Sequence, residues 1–167
     1  MNRLIKAILL LIALLLITGC NLFSGGTPTI NMTNFDSTFG VGETISIDVN
    51  VDDMKNNIFA MSLRIVYDPD YISFDNSQSD WIGSMWSDGA IGILEDENNT
   101  IYISITEIAG ASDFKPNGTI LSLYFTIEAT GTSLIDFVDD QIFFYDEDGN
   151  AINLSDIEVT GYSITIE

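Results

Sequence analysis

The chain has 167 residues, with 25 Asp and Glu against five Lys and Arg, for a net charge of −20 at pH 7. It has no histidine and a single cysteine, so histidine-based triads, proton relays and zinc sites are excluded, as is a disulfide within the domain. So acidic a surface repels phosphate backbones and excludes nucleic acid as a partner.

The chain opens with two cations, Arg3 and Lys6, followed by an apolar run from Ala7 to Ile17 and then Thr18-Gly19-Cys20. A basic start, a short apolar stretch and a small residue before the cut describe a secretory signal. The stretch is shorter than the ~20 apolar residues of a membrane span. Ile17-Thr18-Gly19-Cys20 resembles the lipobox of bacterial lipoproteins. That resemblance implies a diacylglycerol on the Cys20 thiol and cleavage before it, with two acyl chains sufficient for stable anchoring. The expected organisation is a signal peptide over residues 1–19, a lipidated tether over 20–29 and one domain over 30–167. Cleavage would remove two cations and no acid, leaving three cations and a charge of −22 on the domain side. The expected location is the extracytoplasmic face of a membrane, at the cell surface or in the periplasm.

Asn21 to Thr29, with Gly25-Gly26 and Pro28, reads as a tether with a reach of at most ~30 Å. Strand signals follow. Thr44 to Asp52 alternates strictly, with Ile45, Ile47, Val49 and Val51 on one side. Phe59, Met61, Leu63 and Ile65 form the inward set of the next strand, and Ala60, Ser62, Arg64 and Val66 its outward set. Further strands are expected at 71–74, 91–94, 101–106, 120–127, 134–137, 142–145 and 159–166. The 120–127 strand is apolar on both faces at its start. Gly40-Val41-Gly42, Asn98-Asn99, Asn117-Gly118, Gly131 and Asp148-Gly149 supply turns. No segment sustains a 3.6-residue period. The predicted fold is all-β, a jelly-roll sandwich of about nine strands.

Three segments in order, with the closing strand, resemble a cohesin module. They are Val41 to Ile47; Met61 to Pro69 with Tyr71 to Phe74; and Gly118 to Ile127, followed by Gly161 to Ile166. The resemblance spans roughly residues 29–167. It implies a nine-stranded jelly roll that docks a dockerin, a small calcium-loaded helical module on another protein. The expected setting is polysaccharide degradation. Any calcium would then belong to the partner, and no cofactor or metal is expected on this chain. In cohesins the partner covers one sheet face, which corresponds here to strands 58–67, 90–94 and 100–107. Ser62, Arg64, Tyr102 and Ser104 are the candidate contacts. Ser62 stands where many cohesins carry an acid or amide, and keeps hydrogen bonding without charge. Arg64 beside Tyr102 combines two residue types enriched at interface hot spots.

A second reading is direct carbohydrate binding by exposed aromatics, with Trp81 and Trp86 as candidates. A third is an envelope lipoprotein with neither ligand. The acidic runs Glu95 to Asn99 and Asp146 to Asn150 lack the calcium-loop spacing and read as hairpin turns. There is no G-x-S-x-G elbow or phosphate loop, and no carboxylate pair is singled out, so a non-enzymatic module is expected.

Overall fold

The computed structural model describes residues 26–34, 38–54, 57–77, 80–81, 91–106, 117–155 and 157–167. The expected lipidation residue Cys20, the signal peptide and Trp86 lie outside them. Twelve strands are present among the described residues. They are β1 (Thr29–Thr33), β2 (Thr44–Asp52), β3 (Ala60–Tyr67), β4 (Ile72–Phe74), β5 (Asp80–Trp81), β6 (Ile91–Glu97), β7 (Thr100–Thr106), β8 (Gly118–Ile127), β9 (Gly131–Phe137), β10 (Phe143–Tyr145), β11 (Glu158–Thr160) and β12 (Tyr162–Ile166).

They form two sheets. One runs β11-β1-β2-β8-β4, with β5 also on β8; the other runs β12-β9-β3-β7-β6, with β10 also on β3. The all-β sandwich is as expected. The strand count exceeds nine because β1 and the two-residue β5 join the expected set, and because one expected strand is two.

That division falls at Gly161. Residues 159–166 look like one run in sequence, but β11 pairs parallel with β1 while β12 pairs antiparallel with β9 in the other sheet. A Cβ at Gly161 would collide with the Ile135 carbonyl and with Asp136. Only glycine lets the chain cross so close to β9.

The strand β1 also revises the expected tether. It pairs with β2 from Thr29 onward, and the Pro28 carbonyl accepts a bond from Glu158 N. The fold therefore takes up the last two residues assigned to the tether.

The core fills the space between the sheets. Ile45, Ile47, Val49 and Val51 of β2 are buried, as are Met61, Leu63 and Ile65 of β3 and Ile101, Ile103 and Ile105 of β7. Phe59 departs from the expected pattern. It is half-buried and precedes the strand, while Ile58 beside it is buried. The double-faced start of β8 has a local cause. Val49 pairs with Leu121 but Asn50 pairs with Thr119, so Ile120 is the extra residue of a β-bulge. Ile120 and Leu121 are consequently both buried.

Gly161→Ala is expected to lower stability by about 1–3 kcal/mol, the range for forcing atoms into a packed site. Urea unfolding of the variant and the parent gives the difference, and an unchanged midpoint contradicts the close-approach account.

Candidate partner-binding face

The strands β3 and β7 are antiparallel neighbours at the middle of their sheet, with β6 beyond β7. The hairpin that joins β6 to β7 turns at Asn98 and Asn99, which take φ of 54° and 62°. Asparagine tolerates that left-handed backbone, as a two-residue hairpin turn requires. The acidic run before it, Glu95 to Glu97, is thus the end of β6 leading into a turn, as expected.

Inward residues of β3 lock into the core, so the alternate set must face out. The register puts Ser62 opposite Ser104 and Arg64 opposite Tyr102. The four sequence candidates are therefore two adjacent cross-strand pairs on one surface, all half-buried. Ser104 Oγ donates to Ser62 Oγ at 3.3 Å. The Arg64 guanidinium lies 4.9 Å from the centroid of the Tyr102 ring. That distance is within cation–π range, and the stack holds a long side chain that would otherwise sample many rotamers.

Three large apolar side chains are exposed on the same face, Leu134 being the farthest from the group, with Asp136 opposite Val66 between them. Phe143 of β10, opposite Ser62, is 44% exposed; Val66 of β3 is 38% and Leu134 of β9 is 53% exposed. Val66 is foreseen by alternation. Phe143 is missed in sequence because Ile142-Phe143-Phe144-Tyr145 is apolar throughout, so nothing tells Phe143 from the buried Phe144. Only the pairing of β10 with β3 settles it.

The outer face of the other sheet is different in kind. Its polar groups bond one another: Asn50 Nδ2 donates to Thr33 Oγ1 at 2.9 Å, Thr119 Oγ1 to Asn50 Oδ1 at 2.7 Å, and Ser122 Oγ to Asp48 Oδ1 at 2.6 Å. Trp81 belongs to this sheet through its backbone, which pairs with Leu121. The structure therefore does not bring Trp81 to the Arg64 face.

Two titrating groups are shifted. Tyr67 packs edge-on against Phe125, with ring centroids 5.6 Å apart, and its hydroxyl donates to Asp96 Oδ2 at 2.9 Å. Burial, then the bond to Asp96 and that carboxylate's charge, push the phenol up to about 12, against a smaller opposing effect of the Phe74 backbone. Asp146 is held below the usual carboxylate range by the backbone N–H and side-chain amide of Asn150. Its Oδ1 also accepts from Asp148 N at 3.1 Å. The 146–150 run is thus a self-bonded turn, and no cluster of metal-ligating side chains occurs among the described residues.

A sequence profile of the Cohesin domain matches residues 31–162, well over half the chain. The chain belongs to the cohesin family. Solved cohesins share its fold. A type II cohesin domain from the cellulosome of Acetivibrio cellulolyticus is 21% identical with a TM-score of 0.70, over 83% of this chain and 95% of that one. A non-cellulosomal cohesin from the archaeon Archaeoglobus fulgidus is 16% identical with a TM-score of 0.65, over 85% and 92%. A type I cohesin–dockerin complex from Clostridium thermocellum gives 15% identity and a TM-score of 0.67, over 85% and 100%. Curated protein sequences give no match.

Tyr67's shift has a definite sign. The folded protein favours the neutral phenol, so its contribution is fully present below the unfolded value of 10.0 and is lost as pH rises toward 12. A spectrophotometric titration of the six tyrosines should show one ionising near 12 that disappears in Tyr67→Phe. Uniform ionisation near 10.0 in the folded protein contradicts the buried-phenol account.

Proposed function

We propose that the protein is a non-enzymatic docking module that holds a dockerin-bearing protein at a membrane surface. The supporting observation is the β3-β7-β6 face, where a stacked Arg64–Tyr102 pair and a Ser62–Ser104 pair share a surface with exposed Phe143, Val66 and Leu134. Aromatic and arginine anchors with hydrogen-bonding neighbours and an apolar border are what a protein interface needs at its centre. Solved cohesins of this fold occur in complex with dockerins, the Clostridium thermocellum complex among them. The partner would be a calcium-loaded dockerin module, carried by an enzyme of polysaccharide degradation.

The lipobox-like Ile17-Thr18-Gly19-Cys20 supports an anchor through lipid on Cys20. Since the fold starts by Pro28, residues 21–27 remain as tether, with a reach of at most about 25 Å. A chain of this charge gains nothing from anionic headgroups, so the lipid would anchor it unaided.

Calorimetry of residues 20–167 with calcium-loaded dockerins of the same genome should give saturable binding. Tyr102→Ala should weaken it by roughly 1–2 kcal/mol or more, as for a hot-spot aromatic. Absence of heat with every dockerin there, or a genome without any, removes the docking reading. The anchor is tested separately. The parent expressed in a bacterium should partition into the detergent phase, and Cys20→Ser should move it to the aqueous phase. Identical partitioning of the two refutes lipidation.

A further inference from the structure

We propose that the β3-β7-β6 face selects a partner whose contact surface is basic at its rim and carries one carboxylate at its centre, beside an apolar side chain. The inference rests on the docking reading and specifies the partner chemistry which that reading leaves open.

Arg64 is the one cation among the described residues. It sits on a central strand of the sheet, in an otherwise acidic protein. Its guanidinium is held on the Tyr102 ring, which leaves its planar array of N–H donors for an acceptor brought from outside. Glu95 is in the same cross-strand row, opposite Tyr102. It is two strand spacings from Arg64, about 10 Å, near the distance over which physiological salt screens exposed charges. Asp136 of β9, opposite Val66, is the nearer carboxylate, but its Oδ1 accepts from Phe137 N and no ion pair joins it to Arg64 among the described residues.

Along β3, β7 and β10 the next groups are neutral or apolar, while Asp136 of β9 lies opposite Val66. Ser62 and Ser104 bond each other, Phe143 stands opposite Ser62, and Val66 follows Arg64 by two residues on the same face. A second carboxylate brought here would meet hydroxyls or the like charge of Asp136. Beyond them the rim is acidic, with Glu95 and Glu97 exposed on β6 and Asp139 and Asp140 exposed in the turn after β9. A wholly basic partner would press a like charge onto Arg64, and a polyanion would be repelled at the rim. One central carboxylate within a basic surround satisfies both conditions. The rim would then govern the salt-dependent encounter rate, and the Arg64 contact the rate of dissociation.

The test uses residues 20–167 and a calcium-loaded dockerin from the same genome that binds the parent. Thermal unfolding first confirms that Arg64→Gln and Arg64→Glu are folded. Binding is expected to fall at least about thirtyfold in Arg64→Glu and less in Arg64→Gln, mainly through faster dissociation. Replacing the partner's central Asp or Glu by Arg should restore binding to Arg64→Glu and abolish binding to the parent. Asn50→Ala, on the opposite sheet, should bind as the parent does. Binding of both Arg64 variants within about threefold of the parent, which is under 1 kcal/mol, overturns the inference and leaves the docking reading standing. If no dockerin binds the parent, the docking reading fails and this inference falls with it.

Discussion

The fold depends on burial of the apolar faces of two sheets against each other. With no disulfide in the domain, no covalent link reinforces that contact, and the core must supply the net stability. The strand β3 shows how closely structure and surface are tied. Met61, Leu63 and Ile65 are buried by the opposing sheet, while Ser62 and Arg64 between them are turned outward by the strand's own geometry. A slip of one residue would exchange the two sets. The presentation of Arg64 is thus a consequence of burying Leu63 and Ile65.

The two outer faces divide the polar chemistry. On the β1-β2-β8 side, amides, hydroxyls and Asp48 bond among themselves and leave a satisfied surface. On the β3-β7-β6 side, Arg64 is engaged by a ring rather than by an ion pair, and large apolar side chains are left uncovered. Satisfied polar groups are at home in water; exposed Phe143 and Leu134 on the face that carries the stacked cation are the contrast with it.

Alternation in the sequence made β2, β3 and β7 readable, because each has one face in the core and one in water. The outward set followed at once, and the antiparallel pairing of β3 with β7 brought Ser62, Arg64, Tyr102 and Ser104 together. Legibility failed where pairing depended on distant residues. The Thr29–Thr33 strand has only Ile30 and Met32 as apolar members and follows Gly-Gly and Pro, so it was not expected as a strand; its parallel partner is β11, near the other end of the chain. Gly161 is an ordinary residue in sequence and a switch between sheets in space. Phe143 and Phe144 are indistinguishable without the register of β10. The extra residue Ile120 obscured which face of β8 was buried, because a bulge breaks the period on which that reading relies.

The edge strand β6 has a separate consequence. Among the described residues no strand pairs with its other side, and it ends in Glu95, Asp96 and Glu97, of which Asp96 is tied to Tyr67. An unpaired strand edge invites a neighbouring chain to extend the sheet. A second copy approaching this edge would bring its own three acids against these, and the repulsion would grow with every residue aligned. Acids gathered at this end of the strand would thus oppose the growth of one sheet into the next.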